Sequence, residues 1–370
     1  MPRRTEPSAA PLSAMEKRSF LFRSVLILFA SLAALLFVCP RSLRASQPQG
    51  KQKTEERKKP SKPELETRSP EADQDQQKGF RIGVNVDLVV VHTSVHDKNG
   101  NFVAGLKKEN FKVYEDGVAQ NVASFSQEDV PVSMGILIDT SGSMRHKIDL
   151  VNKAALAFIR ASNPEDQVFL IGFSDQVELL EDYTNDIDMI TDALDNIIVT
   201  GGTALYDAIY LGVQKAVKGI KPKKAIVLIT DGEDRDSYYK LDELVAKVQE
   251  EDVQIFSIGF MNPAPDKGLF GRWSKSAPEK AREALQRISE ETGAKAFFPE
   301  KITDLNGIVS AIAHELRSQY SIGFISSNSA RDGSWRRLKI ALDGTNSAAY
   351  HVRARTGYFA AKVTESTKSR

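Results

Sequence analysis

The stretch ILIDTSGSMRHK, residues 136–147, runs three apolar positions into an aspartate and then into small, mostly hydroxylic residues, with Asp139, Ser141 and Ser143 at every second position. A surface turn needs only one or two such residues. Alternating donors with Gly142 among them let the loop fold and aim successive side chains at one point. Two further stretches offer matching chemistry: Asp231 in TDGED, directly after the apolar run AIVLIT, and Thr203 in VTGGTAL, after two glycines. Two carboxylates and three hydroxyls, with no histidine or cysteine, form an all-oxygen donor set suited to a hard divalent cation, Mg²⁺ first, with Mn²⁺ or Ca²⁺ as alternatives. Two carboxylates neutralise such an ion without filling its shell, so such a site can keep a position open for an acidic group from a partner.

Something must bring these three segments together. The apolar runs SMGILID, QVFLIGFS, KKAIVLITDG, VQIFSIGF and AKAFFP are short and nearly uninterrupted, as strands buried on both faces should be. Helical periodicity separates them. Ile148, Val151, Ala155 and Phe158 share one face, as do Leu205, Ile209 and Val213, then Leu241, Leu244, Val245 and Val248, and finally Ile302, Leu305, Ile308, Ile312 and Leu316. Residues 131–318 are therefore expected to form a doubly wound α/β domain with a mostly parallel sheet. In such a sheet ligands gather at the carboxyl ends of the strands, where Asp139 and Asp231 fall.

On either side of this domain the period changes to two. Ile82, Val84, Val86, Leu88 and Val90 alternate, HDKNGNFV supplies an Asn-Gly turn, and FKVYEDGVAQNVASF reads as strand, turn and strand. The same texture returns in QYSIGFIS, WRRLKIALDG and YHVRARTGYF, with Leu338, Ile340 and Leu342 on one side. Neither segment has enough strands to close a core alone. The expectation is one discontinuous β-sandwich, residues 80–130 and 319–360, into which the α/β domain is inserted. Residues 46–79 are polar and highly charged, the composition of a disordered linker, and 361–370 read as a disordered tail. Residues 1–45 carry basic residues before the sixteen-residue apolar run at 24–39, which reads as a signal peptide or an N-terminal membrane anchor. The protein is thus expected to be exported, to periplasm or exterior, with the membrane met only through that segment. Cys39 is the one cysteine, so no internal disulfide holds the folded part.

A formal net charge of +1 and the absence of a long basic stripe argue against nucleic acid as a partner. Enzymatic signatures are also missing. DTSGS lacks the second aspartate of a D-x-D phosphatase, no G-x-S-x-G or P-loop occurs, and Ser318 stands four after His314 where a zinc helix would need histidine. DKNGNF has Phe102 where a calcium loop needs glycine, so a hairpin turn is expected there. The segment MNPAPDKGLFGRWSKSAP, residues 261–278, is long for a connection and follows a buried strand onto the same rim. Its Phe270, Arg272 and Trp273, with Arg145 and His146 beside the first motif, are the candidate partner-contacting residues.

The pattern D-x-S-x-S, then Thr, then Asp, in strand-end loops of a doubly wound domain, resembles the metal-ion-dependent adhesion site of von Willebrand factor type A domains, at all five positions. EDGVAQNVASFSQEDVPVSMGILIDTSGSM and RARTGYF are similar to a bacterial exported group carrying such domains, and insertion into a sandwich is similar to the arrangement in integrin β chains. The resemblance implies that Asp139, Ser141, Ser143, Thr203 and Asp231 surround a divalent ion, directly or through water, and that an Asp or Glu of a protein partner completes its shell. Metal-dependent protein binding, without catalysis, is the function expected from this. The alternatives are a structural scaffold for an envelope complex, in which the metal only stiffens the rim, and a metal-dependent hydrolase.

Overall fold

The computed structural model describes residues 87–261, 275–344 and 349–362. The signal or anchor segment, the linker, Ile82, Val84, Val86, Phe270, Arg272 and Trp273 lie outside the described residues, as does all of the tail beyond Lys362. Among the described residues no helix is long and apolar enough to cross a membrane.

The uninterrupted apolar runs pair with one another, as expected of strands with no polar face to offer to water. β5 (Val132–Asp139), β6 (Gln167–Phe173), β7 (Val177–Thr184), β8 (Lys223–Thr230), β9 (Gln254–Gly259) and β10 (Ala296–Phe297) form a six-stranded sheet ordered β10-β9-β8-β5-β6-β7. All pairs are parallel except β6 with β7. From β5 the chain moves to β6 on one side and later reaches β8 on the other, so the winding reverses between β5 and β8.

Helices cover both faces. Val151 and Phe158 of α1 (Ile148–Ala161), Ile190 of α2 (Ile187–Asp195) and Ile312 of α6 (Leu305–Ser318) pack on one side. Ile209 of α3 (Leu205–Val217), Val245 of α4 (Leu241–Glu250) and Leu285 of α5 (Ala277–Glu291) pack on the other. This is the doubly wound α/β fold expected. Three elements go beyond the sequence expectation. α5 has only Leu285 and Ile288 as large buried residues; α2 is short, with Asp186 capping it through Asp188 N at 2.9 Å; and β7 is an edge strand with no fully buried residue.

The flanking strands make two antiparallel sheets. One is ordered β13-β1-β11-β4, from β1 (Leu88–His96), β4 (Val122–Ser126), β11 (Tyr320–Ile325) and β13 (His351–Arg353). The other is ordered β14-β12-β2-β3, from β2 (Phe111–Glu115), β3 (Val118–Gln120), β12 (Trp335–Leu342) and β14 (Gly357–Phe359). Each sheet takes strands from both sides of the α/β domain, and Val91, Val113, Tyr320, Ile322, Phe324 and Leu338 share the core between them. Asp116 and Gly117, at φ 48° and 84°, make the tight turn between β2 and β3.

The phase of β1 corrects the sequence reading. Leu88 is half exposed, while Val89, Val91, Thr93 and Val95 are buried in the opposite register. Ser94 and His96, on the Leu88 face, are nonetheless buried because that face meets α6. Ser94 Oγ donates to Glu315 Oε1 at 2.7 Å, and His96 Nε2 and Arg353 Nη2 each lie 3.4 Å from Glu315 Oε2. His314, by contrast, stacks edge-on against Phe102, a packing role. Burial alone would raise the Glu315 carboxyl, but His96, Arg353 and Ser94 hold it below the ordinary glutamate range. The last helix of the α/β domain is thereby fixed to the sandwich by a buried charge cluster.

Removing one member of such a cluster leaves the others unpaired and desolvated. Glu315→Ala should destabilise the fold by about 3 kcal/mol in denaturant titration. Because the folded carboxyl is held low, its contribution is present above the unfolded glutamate value, about 4.5, and is lost as pH falls through the folded value. The difference between wild type and Glu315→Ala should therefore shrink on acidification below that value.

Candidate metal centre

Asp139 closes β5 and Thr230 closes β8, the two strands that flank the reversal. Ile138 pairs with Ile229, so Asp139 is level with Thr230 and Asp231 is one residue further out. Both aspartates are buried, Asp139 completely. Asp139 sits in a tight hydrogen-bonded floor: Thr230 Oγ1 donates to its Oδ2 at 2.6 Å and Ser141 N to its Oδ1 at 2.9 Å. Ser143 Oγ donates to Asp231 Oδ1 at 2.7 Å and lies 3.1 Å from Ser141 Oγ. The other Asp231 oxygen, Oδ2, is bonded by the Lys147 ammonium.

Thr203 reaches the site through its two glycines. Gly201 has φ +73°, and a Cβ there would lie 2.2 Å from Asp175 Oδ1. On Gly202 it would lie 1.9 Å from Asp236 Oδ2, the oxygen that accepts Thr203 N at 2.7 Å. Backbone bonds tie the loops together: Gly142 N donates to Gly201 O at 3.2 Å and Thr200 N to Thr140 O at 2.9 Å. In the acidic run after Asp231, Asp236 thus sets the Thr203 loop, while Asp234 and the following Ser237 serve α3. Asp234 Oδ1 accepts Tyr206 N at 3.1 Å, and Ser237 Oγ accepts Tyr206 N and Asp207 N at 3.0 and 3.1 Å.

All five expected donors thus stand on one rim. Asp139, Ser141, Thr203 and Asp231 are buried, while Ser143 opens to solvent. A Cβ on Gly232 would lie 3.5 Å from Thr203 Oγ1 and 3.9 Å from Asp139 Oδ2, so glycine keeps the space beside these two oxygens clear. Among the described residues no three His, Cys, Asp or Glu side chains converge in a metal-binding group. An ion here would rest on two carboxylates and neutral hydroxyls, a donor set that fits Mg²⁺ or Mn²⁺ better than a transition metal wanting nitrogen or sulfur. Arg145 and His146 are exposed on the short turn after Ser143, with Arg145 Nη2 3.5 Å from Val199 O.

Thr230 and Lys147 belong to the site without having been singled out in the sequence. A β-branched residue closing a strand looks like any strand residue. A lysine at the start of a helix looks like surface charge. Its one signal is that a cation there opposes the helix dipole.

Burial pushes the Asp139 carboxyl above the ordinary aspartate range, against the hydrogen bonds of Ser141 and Thr230, and the Asp231 charge pushes the same way. The fold therefore disfavours the ionised form of Asp139, even with the Lys147 ammonium on the neighbouring Asp231. Asp139→Asn should leave the protein as stable as wild type or about 1 kcal/mol more stable in EDTA, as substitutions that relieve functional strain do. Thermal melts in EDTA check this.

The von Willebrand factor type A domain family matches residues 134–311. The uncharacterized protein sll0103 of Synechocystis is 27% identical over 139 residues, 35% of this chain, and the match spans only 32% of that relative's length. Among solved structures, a von Willebrand factor type A protein from Catenulispora acidiphila is similar at 13% identity and TM-score 0.42, over 77% of this chain and 76% of that one. The corresponding domain of the type V pili tip protein Mfa5 from Porphyromonas gingivalis is similar at 12% identity and TM-score 0.40, over 50% and 95%.

Proposed function

We propose, from the premise that residues 134–311 are a von Willebrand factor type A domain, that this protein is a non-catalytic binding module. It would recognise an acidic group of a protein partner through a divalent cation held by Asp139, Ser141, Ser143, Thr203 and Asp231. One observation carries the reading: two carboxylates from adjacent strand ends lie buried under an exposed hydroxyl, so the charge is at the floor and the opening faces solvent. When bound, the cation supplies a Lewis-acidic position at that opening for a carboxylate oxygen of the partner.

The chain's own residues have separable parts in this. Asp139 and Asp231 supply the negative charge. Ser141 and Ser143 give oriented dipoles without charge, and Thr203, set by Gly201 and Gly202, supplies the third hydroxyl. Thr230 holds the Asp139 carboxylate in place. Arg145 and His146 stand where a bound acidic segment would pass and would steer it electrostatically. No histidine or cysteine belongs to the donor set, so no side chain in it has the ordinary pKa of a general base near neutrality. The wider assignment, a protein acting outside the cytoplasm, either released from its signal peptide or anchored to the inner membrane by residues 24–39, rests on the N-terminal sequence.

The reading is tested by titrating Mg²⁺ and Mn²⁺ to millimolar levels by calorimetry into wild type, Asp139→Ala and Asp231→Ala. Saturable binding is expected in wild type and in neither variant. Equal heats in all three would remove the metal from the account.

A further inference from the structure

The Lys147 side chain has no role in the helix it begins. Its backbone joins the turn Gly142–His146 to α1: Lys147 N donates to Met144 O at 2.7 Å, and Lys147 O accepts Leu150 N and Val151 N, both at 3.0 Å. Its side chain makes no capping bond, and a cation at this end of a helix opposes the macrodipole. The ammonium instead turns inward to Asp231 Oδ2. The Asp231 side chain is 2% exposed and that of Lys147 30%, so the stem runs from solvent into the floor of the metal centre. Among the described residues no other cation pairs with Asp139 or Asp231.

With Ser143 Oγ on Oδ1 and the ammonium on Oδ2, both Asp231 oxygens are engaged. The ammonium pairs with Asp231 alone, and Asp139 has hydrogen bonds but no cation of its own. A divalent ion can complete the neutralisation, but not with the ammonium still against the same carboxylate, because the two cations repel at that range. The flexible four-carbon stem gives the ammonium a way out to water, where it is fully hydrated. We propose that Lys147 is a tethered cation that stands in for the metal at Asp231 and must leave before a divalent ion can bind. This rests on reading the rim as a metal centre. It adds that the chain carries its own competitor for the site, which keeps the fold intact without metal and weakens metal binding by the fraction of molecules in which the ammonium is seated.

Calorimetry with Mg²⁺ on the full chain tests this, comparing wild type with Lys147→Met, which keeps the length of the stem without the charge. The expected result is an apparent affinity about tenfold higher in Lys147→Met, together with a lower Tm in EDTA that Mg²⁺ restores. Lys147→Gln, which keeps a donor to Asp231, replaces the methionine variant should that one fail to fold, with the same direction expected. Binding by the variant alone would be the strongest support. Equal or weaker binding than in a wild type that does bind would overturn the proposal and leave the metal centre standing. No binding by either protein would remove the metal centre itself, and the competitor with it.

Discussion

Two aspartates end adjacent parallel strands, and everything at this rim follows from holding their charges out of water. Ile138 pairs with Ile229, which brings Asp139 beside Thr230 and sets Asp231 one residue beyond. Taking two carboxylates into a protein interior is unfavourable unless each is hydrogen-bonded and their charge is balanced. The hydrogen bonds come from Thr230, Ser141 and Ser143. Hydroxyls cannot supply balancing charge; a neighbouring cation or a proton must. Lys147 supplies one positive charge, at Asp231, and no side chain among the described residues supplies a second. That deficit, located at the point where a doubly wound sheet reverses, is what the proposed divalent cation would answer.

The surrounding fold serves to keep that geometry fixed. The carboxyl ends of β5 and β8 are held by a sheet whose two faces are covered by three helices each, and Thr203 is set by glycines at which a Cβ would collide with Asp175 or Asp236. At the other side of the same domain α6 is tied into the sandwich by Glu315 with Ser94, His96 and Arg353, and Lys223 Nζ donates to Leu316 O at 2.9 Å near its C-terminal end. Each sheet of the sandwich draws strands from both sides of the insertion, so the two ends of the α/β domain meet at the sandwich. The two cores are joined through the last helix and the strands that follow it.

Much of this was legible in the sequence because burial leaves a strong pattern. Strands buried on both faces must be apolar throughout, so an aspartate ending such a run is conspicuous, as Asp139 and Asp231 are. The doubly wound class and the paired flanking strands follow from the same reasoning. The phase of β1 did not, because Ser94 and His96 are buried against a glutamate on a helix more than two hundred residues away, and alternation alone sees only apolar faces. α5 escaped because alanines do much of its packing; Ala281 and Ala284 are buried but give a faint period. Thr230 and Lys147 were hidden for a related reason: each is an ordinary residue for its element, and only the tertiary neighbour gives it a role.

The central claim, that these five oxygen-bearing residues hold a divalent cation, is tested most directly by an anomalous difference map from crystals grown in millimolar Mn²⁺. The expected result is one strong peak enclosed by Asp139, Ser141, Ser143, Thr203 and Asp231. A map with no peak at that rim, and the Lys147 ammonium still seated on Asp231, would contradict it.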